Sequence, residues 1–443
     1  MLAGIKGRIS FSYSVFDIKD ERNLFASSVL LQIYRLKTGK INADYNDLLL
    51  YLGQSSDYGQ KTKNNSFIDE NYWWLCKLIS EERLKDARLS VLNIYPWLKD
   101  GSTAIKSRNS SKLTIYDGWL NPKSEDLDPR KNKNFVLACT SIEFYAQSPY
   151  AFFLKHILKI ERPEEIKKDL TLWLDSKSRG SLLHEIFQLF IKKLISMESY
   201  PDIESQRKIM NKVLADAIEK YKDEIPFPSK AVFTREVNKL KKDVNVFIDV
   251  NAKLGIPQLL EYEFGYNNEE PVRISIGNNT HIYIKGKIDR VDMDKDLSDT
   301  FHVWDYKTGS LYGYEEGGYV NKGKQIQHVL YAKVVEELLK NKNPNYRVSK
   351  CGYIFPTQKG RDSGKGCILA RNPYEDEKWQ EALSCILDLI ANGIFIYSEE
   401  ENPPYIDDED IYGTKTNKKN ISEKIKDSEN LVLEKLKRLR EFK

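Results

Sequence analysis

Cysteine is sparse in this chain, long apolar runs are missing, and neither sign of charge dominates. The five cysteines, Cys76, Cys139, Cys351, Cys367 and Cys385, are scattered with no Cys-x-x-Cys spacing. That excludes a disulfide framework and fits a reducing compartment. No apolar stretch approaches the roughly 18 residues that read as a spanning helix. The N-terminal run MLAGIKGRISFSYSVFD lacks the apolar core of a secretory signal. A cytoplasmic protein without a membrane partner is therefore expected. The formal net charge of +4 over 443 residues is small. It permits nucleic-acid binding through local patches without requiring it. The basic stretches NKLKKD and KTNKKN read as solvated helix faces and loops. No internal repeat is present. A phosphate loop is also missing: Gly318, Gly323 and Lys324 have its spacing, but Gln325 stands where a magnesium-binding Ser or Thr is needed. The chain is not expected to hydrolyse ATP by itself.

What is present begins with FHVWDYKTG. In a strand, residues i and i+2 share a face, so Phe301, Val303, Asp305 and Lys307 line one side. His302, Trp304 and Tyr306 line the other. The run is apolar and aromatic, an interior strand in which a bare carboxylate and ammonium are costly. Two readings account for them. One is a plain salt bridge; the other is a divalent-metal site whose carboxylate holds the ion while the ammonium acts on water or phosphate. Upstream, HIYIKGKIDRVDMD reads as a second strand joined by the polar turn MDKDLSD, a hairpin that sets Asp289 beside Asp305. RGSLLHEIFQLFIKKL has helical periodicity, with an apolar stripe on Leu183, Phe187, Phe190 and Leu194. His184 lies at the stripe's edge, as a satisfied border histidine or a group facing an enclosed site. In QIQHVLYAKVVEELL, Gln327 and Tyr331 stand one helical turn apart, as a structural polar cap or as site residues.

The order RGSLLHEIF, GKIDRVD, VWDYKTG, QIQHVLYA resembles the PD-(D/E)XK nuclease superfamily, and within it the C-terminal nuclease domain of AddB and RecB helicase–nuclease subunits. The run TSIEFYAQSPYAFFLKHILKI resembles the helix that opens these domains, and YDGWL a short signature that precedes them. The resemblance covers about residues 115–400. It implies a mixed α/β fold: a restriction-endonuclease-like core with a central mixed sheet flanked by helices. Residues 135–443 would form this domain with a C-terminal helical extension. Residues 1–97 would be a mainly helical region like the tail of an AddB helicase part, and residues 98–134, rich in Ser, Asn, Asp and Lys, a linker.

The resemblance further implies a metal-dependent deoxyribonuclease, an exonuclease in recombination or double-strand-break repair. It would work with a helicase subunit or helicase domain not contained in these residues. The chain would then be a C-terminal piece or a degenerate descendant of a larger subunit. Carried over residue by residue, Asp289, Asp305, Lys307, Gln327 and Tyr331 would be catalytic. His184, Asp289, Asp305 and the backbone carbonyl of Tyr306 would hold Mg²⁺ or Mn²⁺, the imidazole favouring Mn²⁺ somewhat. Many relatives bind an iron–sulfur cluster through a Cys just before the opening helix's Pro. Here that position is Ser148, and no cysteine follows Cys385. No cluster is expected, and Cys139 is expected to be a buried core thiol. A catalytically silent DNA-binding or scaffold subunit is the rival class, and the intact His-Asp-Asp-Lys set argues against it. A ligand-binding α/β module would leave those four residues unexplained.

Overall fold

A computed structural model describes residues 9–17, 22–53, 91–120, 124–160, 169–197, 199–267, 269–277, 280–309, 320–374, 378–397, 421–426 and 431–442, with a few isolated positions between them. Cys76, Gly318, the acidic run 399–413, the basic run 415–420 and residues 74–88 of the N-terminal region expected to be mainly helical lie outside the described residues.

The chain divides into two compact units, Met1–Thr103 and Ala104–Lys443. In the first, a short antiparallel ribbon (β1, Phe16–Asp17; β2, Arg22–Asn23) precedes two helices, α1 (Ser28–Thr38) and α2 (Tyr45–Leu52). Gly39 ends α1 in the left-handed region at φ 72°, where glycine carries no Cβ penalty. Asp44 and Asp47 form a reciprocal capping box at the start of α2. Leu31, Tyr34 and Leu48 make a small core.

The second unit is built on a seven-stranded mixed sheet. Its strands are β3 (Leu137–Ala138), β4 (Ile256–Phe264), β5 (Val272–Ser275), β6 (His281–Met293), β7 (Thr300–Tyr306), β8 (Arg347–Ile354) and β9 (Ile368–Arg371). Their order is β3-β6-β7-β8-β9, with β4 and β5 both antiparallel to β6. The long strand β6 is thus the spine, and the expected β6–β7 hairpin is antiparallel. Strand β8 runs parallel to β7 and is reached through helix α7 (Gln327–Lys340), the crossover that a parallel pair requires.

Each sheet face has its own core, as the alternation in FHVWDYKTG requires. Phe301 and Val303 join the core made with α3 (Cys139–Gln147), α7, α8 (Lys378–Ala391) and α9 (Leu431–Glu441). Trp304 and Tyr306 join the opposite core, under α4 (Ser176–Ile195), α5 (Ile203–Glu224) and α6 (Lys230–Asn251). The α4 stripe is buried as its period predicts: Leu183, Phe187, Phe190 and Leu194 all lie inside, and Phe187 stacks on Phe247 of α6 at 3.9 Å between ring centroids. Asp175, Asp202 and Ser229 cap α4, α5 and α6 through side-chain oxygens.

Residues 115–120, inside the stretch whose composition suggests a linker, pack within the second unit. Trp119 bridges to Ile394, Leu120 N–H donates to the Gly393 carbonyl at 2.9 Å, and the buried Asp117 carboxylate pairs with Lys424 at 2.8 Å. The YDGWL run supplies those anchors amid otherwise polar neighbours.

Candidate active site

Pairing of Arg290 with Trp304 sets the β6–β7 register, and one step further puts Asp289 opposite Asp305. Both carboxylates are buried, 8 % and 5 % exposed. Asp289 Oδ2 accepts the Tyr306 N–H at 2.6 Å, which locks its carboxylate against the end of β7. On the same face as Asp305, Lys307 reaches back so that Nζ lies 2.6 Å from Asp305 Oδ2. That oxygen is buried without a directed hydrogen bond, so the contact is an ion pair out of hydrogen-bond alignment. Lys307 Nζ also donates to Gln327 Oε1 at 3.4 Å, and Gln327 Nε2 donates to the Tyr331 hydroxyl at 2.9 Å. Gly286 lets the Tyr331 ring come close to β6, since a Cβ there would stand 3.0 Å from it.

On the other flank, His184 from the edge of the α4 stripe places Nδ1 3.5 Å from Asp289 Oδ1 and 3.1 Å from Glu261 Oε1. Its ring meets Tyr306 edge-on at 5.6 Å. The structure therefore brings together every residue singled out from the sequence: His184, Asp289, Asp305, Tyr306, Lys307, Gln327 and Tyr331. Two runs of contacts, Tyr331–Gln327–Lys307–Asp305 and His184–Asp289, meet at the Tyr306 N–H that Asp289 accepts.

Two carboxylates of this site escaped sequence reasoning. Glu261 lies on β4 between the pairs Leu260–Arg290 and Tyr262–Ile288, directly opposite Asp289. Its φ of 51° is unusual for a non-glycine residue in a strand, and its other oxygen pairs with Lys287 at 3.0 Å. Glu143, on α3, accepts the backbone N–H groups of Ile326 (2.8 Å) and Gln327 (2.7 Å). It caps α7 from outside, where Ile326 at the cap position offers no side-chain acceptor. An acid among the buried Ile142 and Tyr145 was the available signal.

The charges reinforce one another. Burial alone would strip the proton from His184, but hydrogen bonds to Asp289 and Glu261 outweigh it and raise the imidazole to about 10. Burial would raise Glu261, yet His184 and Lys287 hold it below the ordinary carboxylate range. For Asp305, burial and the nearby Asp289 overcome the attraction of Lys307, and its pKa is raised. At Lys307 the balance reverses: burial opposes the charge, but Asp305 and the surrounding acidic field raise its pKa. Burial pushes Glu143 up to about 7, against the pull of Lys307 and the two backbone N–H groups.

Ligand atoms of His184, Glu261 and Asp289 all lie within 4.8 Å of one another. One imidazole nitrogen with two carboxylates is a donor set that fits a divalent cation of Mg²⁺ or Mn²⁺ type. Asp305, opposite Asp289 in the hairpin register, lies outside this group of three and is paired with Lys307. Ser148 is buried and its Oγ accepts the Ala151 N–H at 3.3 Å, capping the short helix Pro149–Phe152. Cys139 is fully buried in the core, as expected of it.

A mixed sheet wrapped by helices on both faces, with Asp, Asp and Lys converging at the end of its central hairpin, defines the restriction-endonuclease-like class of fold. A family model of the PD-(D/E)XK nuclease superfamily matches residues 136–402, more than half of the chain. The chain belongs to that superfamily. It is also similar to one of the subunits that make up the ATP-dependent helicase/deoxyribonuclease of several bacteria. It is 22 % identical to that of Clostridium novyi over 250 residues, 53 % of this chain and 21 % of the relative. To that of Clostridium perfringens it is 26 % identical over 211 residues, 45 % of this chain and 17 % of the relative. To that of Alkaliphilus metalliredigens it is 26 % identical over 236 residues, 49 % and 20 % respectively. The match thus spans about a fifth of the relatives' length. No helix among the described residues is long and apolar enough to cross a membrane.

Proposed function

We propose that this chain is a divalent-metal-dependent deoxyribonuclease that hydrolyses phosphodiester bonds, acting as an exonuclease in DNA recombination or break repair. The observation that carries the reading is the convergence of two contact runs, His184–Asp289 and Asp305–Lys307–Gln327, tied together where Asp289 accepts the N–H of Tyr306, the residue after Asp305. It sets a cation-binding flank directly against an ammonium flank. His184, Asp289 and Asp305 would hold Mg²⁺ or Mn²⁺, with the Tyr306 carbonyl as a further oxygen donor and Glu261, bonded to His184, completing the acidic wall. When bound, the cation supplies an acidified water and neutralises charge on the phosphate.

The chain's own residues do the rest. Lys307 is kept protonated by its acidic neighbours and offers its ammonium to the non-bridging phosphate oxygens, where negative charge builds in the transition state. Gln327 and Tyr331 orient Lys307 and the scissile phosphate from the α7 side. Glu143 holds the N-terminus of α7, and so the position of Gln327. The names of the relatives support DNA as substrate and a helicase subunit or domain as working partner. The reading is tested by incubating the protein with linear DNA and Mg²⁺ or Mn²⁺, with and without EDTA. Metal-dependent, EDTA-sensitive loss of the DNA is expected; intact DNA under all conditions refutes it.

A further inference from the structure

A large open groove lies away from the metal-binding flank, at the opposite end of β6. It encloses about 760 Å³ and is lined by Arg130, Lys131, Lys133, Arg273, His281 and Tyr283 among others. Arg130 is committed to Asp128 and Asp388 at 2.8 and 2.6 Å. Lys131, Lys133 and Arg273 are exposed, and among the described residues none of them has a carboxylate within salt-bridge distance. Three uncompensated cations around one concave surface, with Asp128 already spent on Arg130, make an anion-attracting groove.

The pleat of β6 leads from this groove toward the candidate active site. Burial alternates along this strand: Ile282, Ile284, Gly286 and Ile288 are buried, whereas His281, Tyr283, Lys285 and Lys287 are partly or fully exposed. These four therefore share one face. The row starts in the groove with His281 and Tyr283. It continues through Lys285, whose ammonium lies 5.1 Å from the Tyr266 ring centroid. It ends at Lys287, bonded to Glu261 of the acidic wall. From Tyr283 to Asp289 the strand advances roughly 20 Å at about 3.3 Å per residue. That length corresponds to about six nucleotides at the 3.4 Å rise of a duplex strand, and fewer in an extended one.

We propose that this groove and the exposed row of β6 form a track that binds a single DNA strand and delivers it to the active site. The proposal rests on the nuclease reading for its destination but not for its binding surface. Lys131, Lys133 and Arg273 neutralise phosphates remote from the cut. His281, Tyr283 and Tyr266 interleave aromatic faces with the cations, the arrangement on which unpaired bases stack without regard to sequence. A duplex hides its base faces, so this interleaving favours the single strand.

The test is the triple variant Lys131→Ala/Lys133→Ala/Arg273→Ala, made at exposed positions outside the catalytic machinery. Two readouts are paired. Binding of a fluorescent 20-nucleotide single strand in EDTA, across a salt series, reads the track. Hydrolysis of thymidine 5′-(p-nitrophenyl phosphate) with Mn²⁺ reads the active site without the track. The variant is expected to bind the strand at least about tenfold more weakly at low salt. Its slope of log affinity against log salt should be shallower by about 2, at about 0.7 per lost phosphate contact. Hydrolysis of the small diester should be unchanged. Unchanged strand affinity and salt slope overturn the track. Equal loss of small-diester hydrolysis also overturns it, because the effect would then lie in the site or the fold. Tighter binding of a duplex of equal length, with the same dependence on the three residues, overturns the single-strand assignment. If the wild type hydrolyses neither DNA nor the diester but binds the strand through these residues, the nuclease reading fails and the track stands.

Discussion

Replacing Asp305 with Ala separates a metal site from a structural salt bridge by the sign of its effect on stability. Asp305 is 5 % exposed and lies 2.6 Å from the Lys307 ammonium. If the pair existed to hold the fold, removing one partner would leave a buried charge unpaired. That costs about 3–5 kcal/mol, or a fall of about 6–10 °C in melting temperature at about 2 °C per kcal/mol for a unit of this size. The electrostatics point the other way. Burial and Asp289 disfavour the Asp305 carboxylate more than Lys307 favours it. Lys307 also keeps Gln327 Oε1 and the field of Glu143 after the change. The metal-free Asp305→Ala protein is therefore expected to melt within about 2 °C of wild type, or higher, since part of the carboxylate repulsion has gone. Metal supplies the second sign. At one hundred times its dissociation constant, Mn²⁺ stabilises the wild type by about 2.7 kcal/mol, an upward displacement of about 5 °C that the variant should largely lose, together with DNA cleavage. Thermal melts with EDTA and with Mn²⁺, beside a cleavage assay, read all three quantities. A variant that melts several degrees lower in EDTA, or that cleaves DNA like wild type, refutes the argument.

Lys307→Ala should abolish or strongly reduce cleavage yet keep the Mn²⁺-induced rise in melting temperature, because its ammonium acts on phosphate and water and not on the ion. Glu143→Gln should flatten the pH dependence of stability. Folding raises this carboxyl from 4.5 to about 7, so the unfolded chain releases the proton first, and stability present below about pH 4.5 is lost as pH rises to about 7. At about 1.4 kcal/mol per pH unit this amounts to roughly 3 kcal/mol. The amide oxygen of Gln can still accept both α7 N–H groups, so urea melts at pH 5 and pH 8 should differ less in the variant than in wild type. Protons and metal compete for His184, which two carboxylates keep protonated to about 10. Mn²⁺ affinity measured by calorimetry should therefore rise with pH from 6 to 9 with proton release on binding; a pH-independent affinity would exclude His184 as a ligand.

The parts of this site legible in the sequence are those whose signal is local. Alternation in FHVWDYKTG placed Asp305 and Lys307 on one face, and the split of Val303 and Trp304 between two cores follows from the same period. The turn MDKDLSD fixed the hairpin, and the register of β6 on β7 did the rest for Asp289. His184 was readable because a histidine on the rim of an apolar helical stripe must face either solvent or an enclosed polar group. Glu143 and Glu261 were not readable because their meaning lies in partners far away in the chain. Glu143 serves backbone groups 183 residues downstream, and Glu261 meets a histidine 77 residues upstream. Nothing in LLEYEFGYN separates Glu261 from Glu263. What separates them is a left-handed backbone at Glu261 alone, with φ of 51°, on a strand whose register shifts just upstream, between Pro257 and Leu259. A strained conformation of this kind costs about 1–3 kcal/mol and persists only where surrounding contacts over-determine it. Here His184 and Lys287 grip the two oxygens of one carboxylate. The distortion is thus tied to the same acidic wall that the sequence, read locally, left half built.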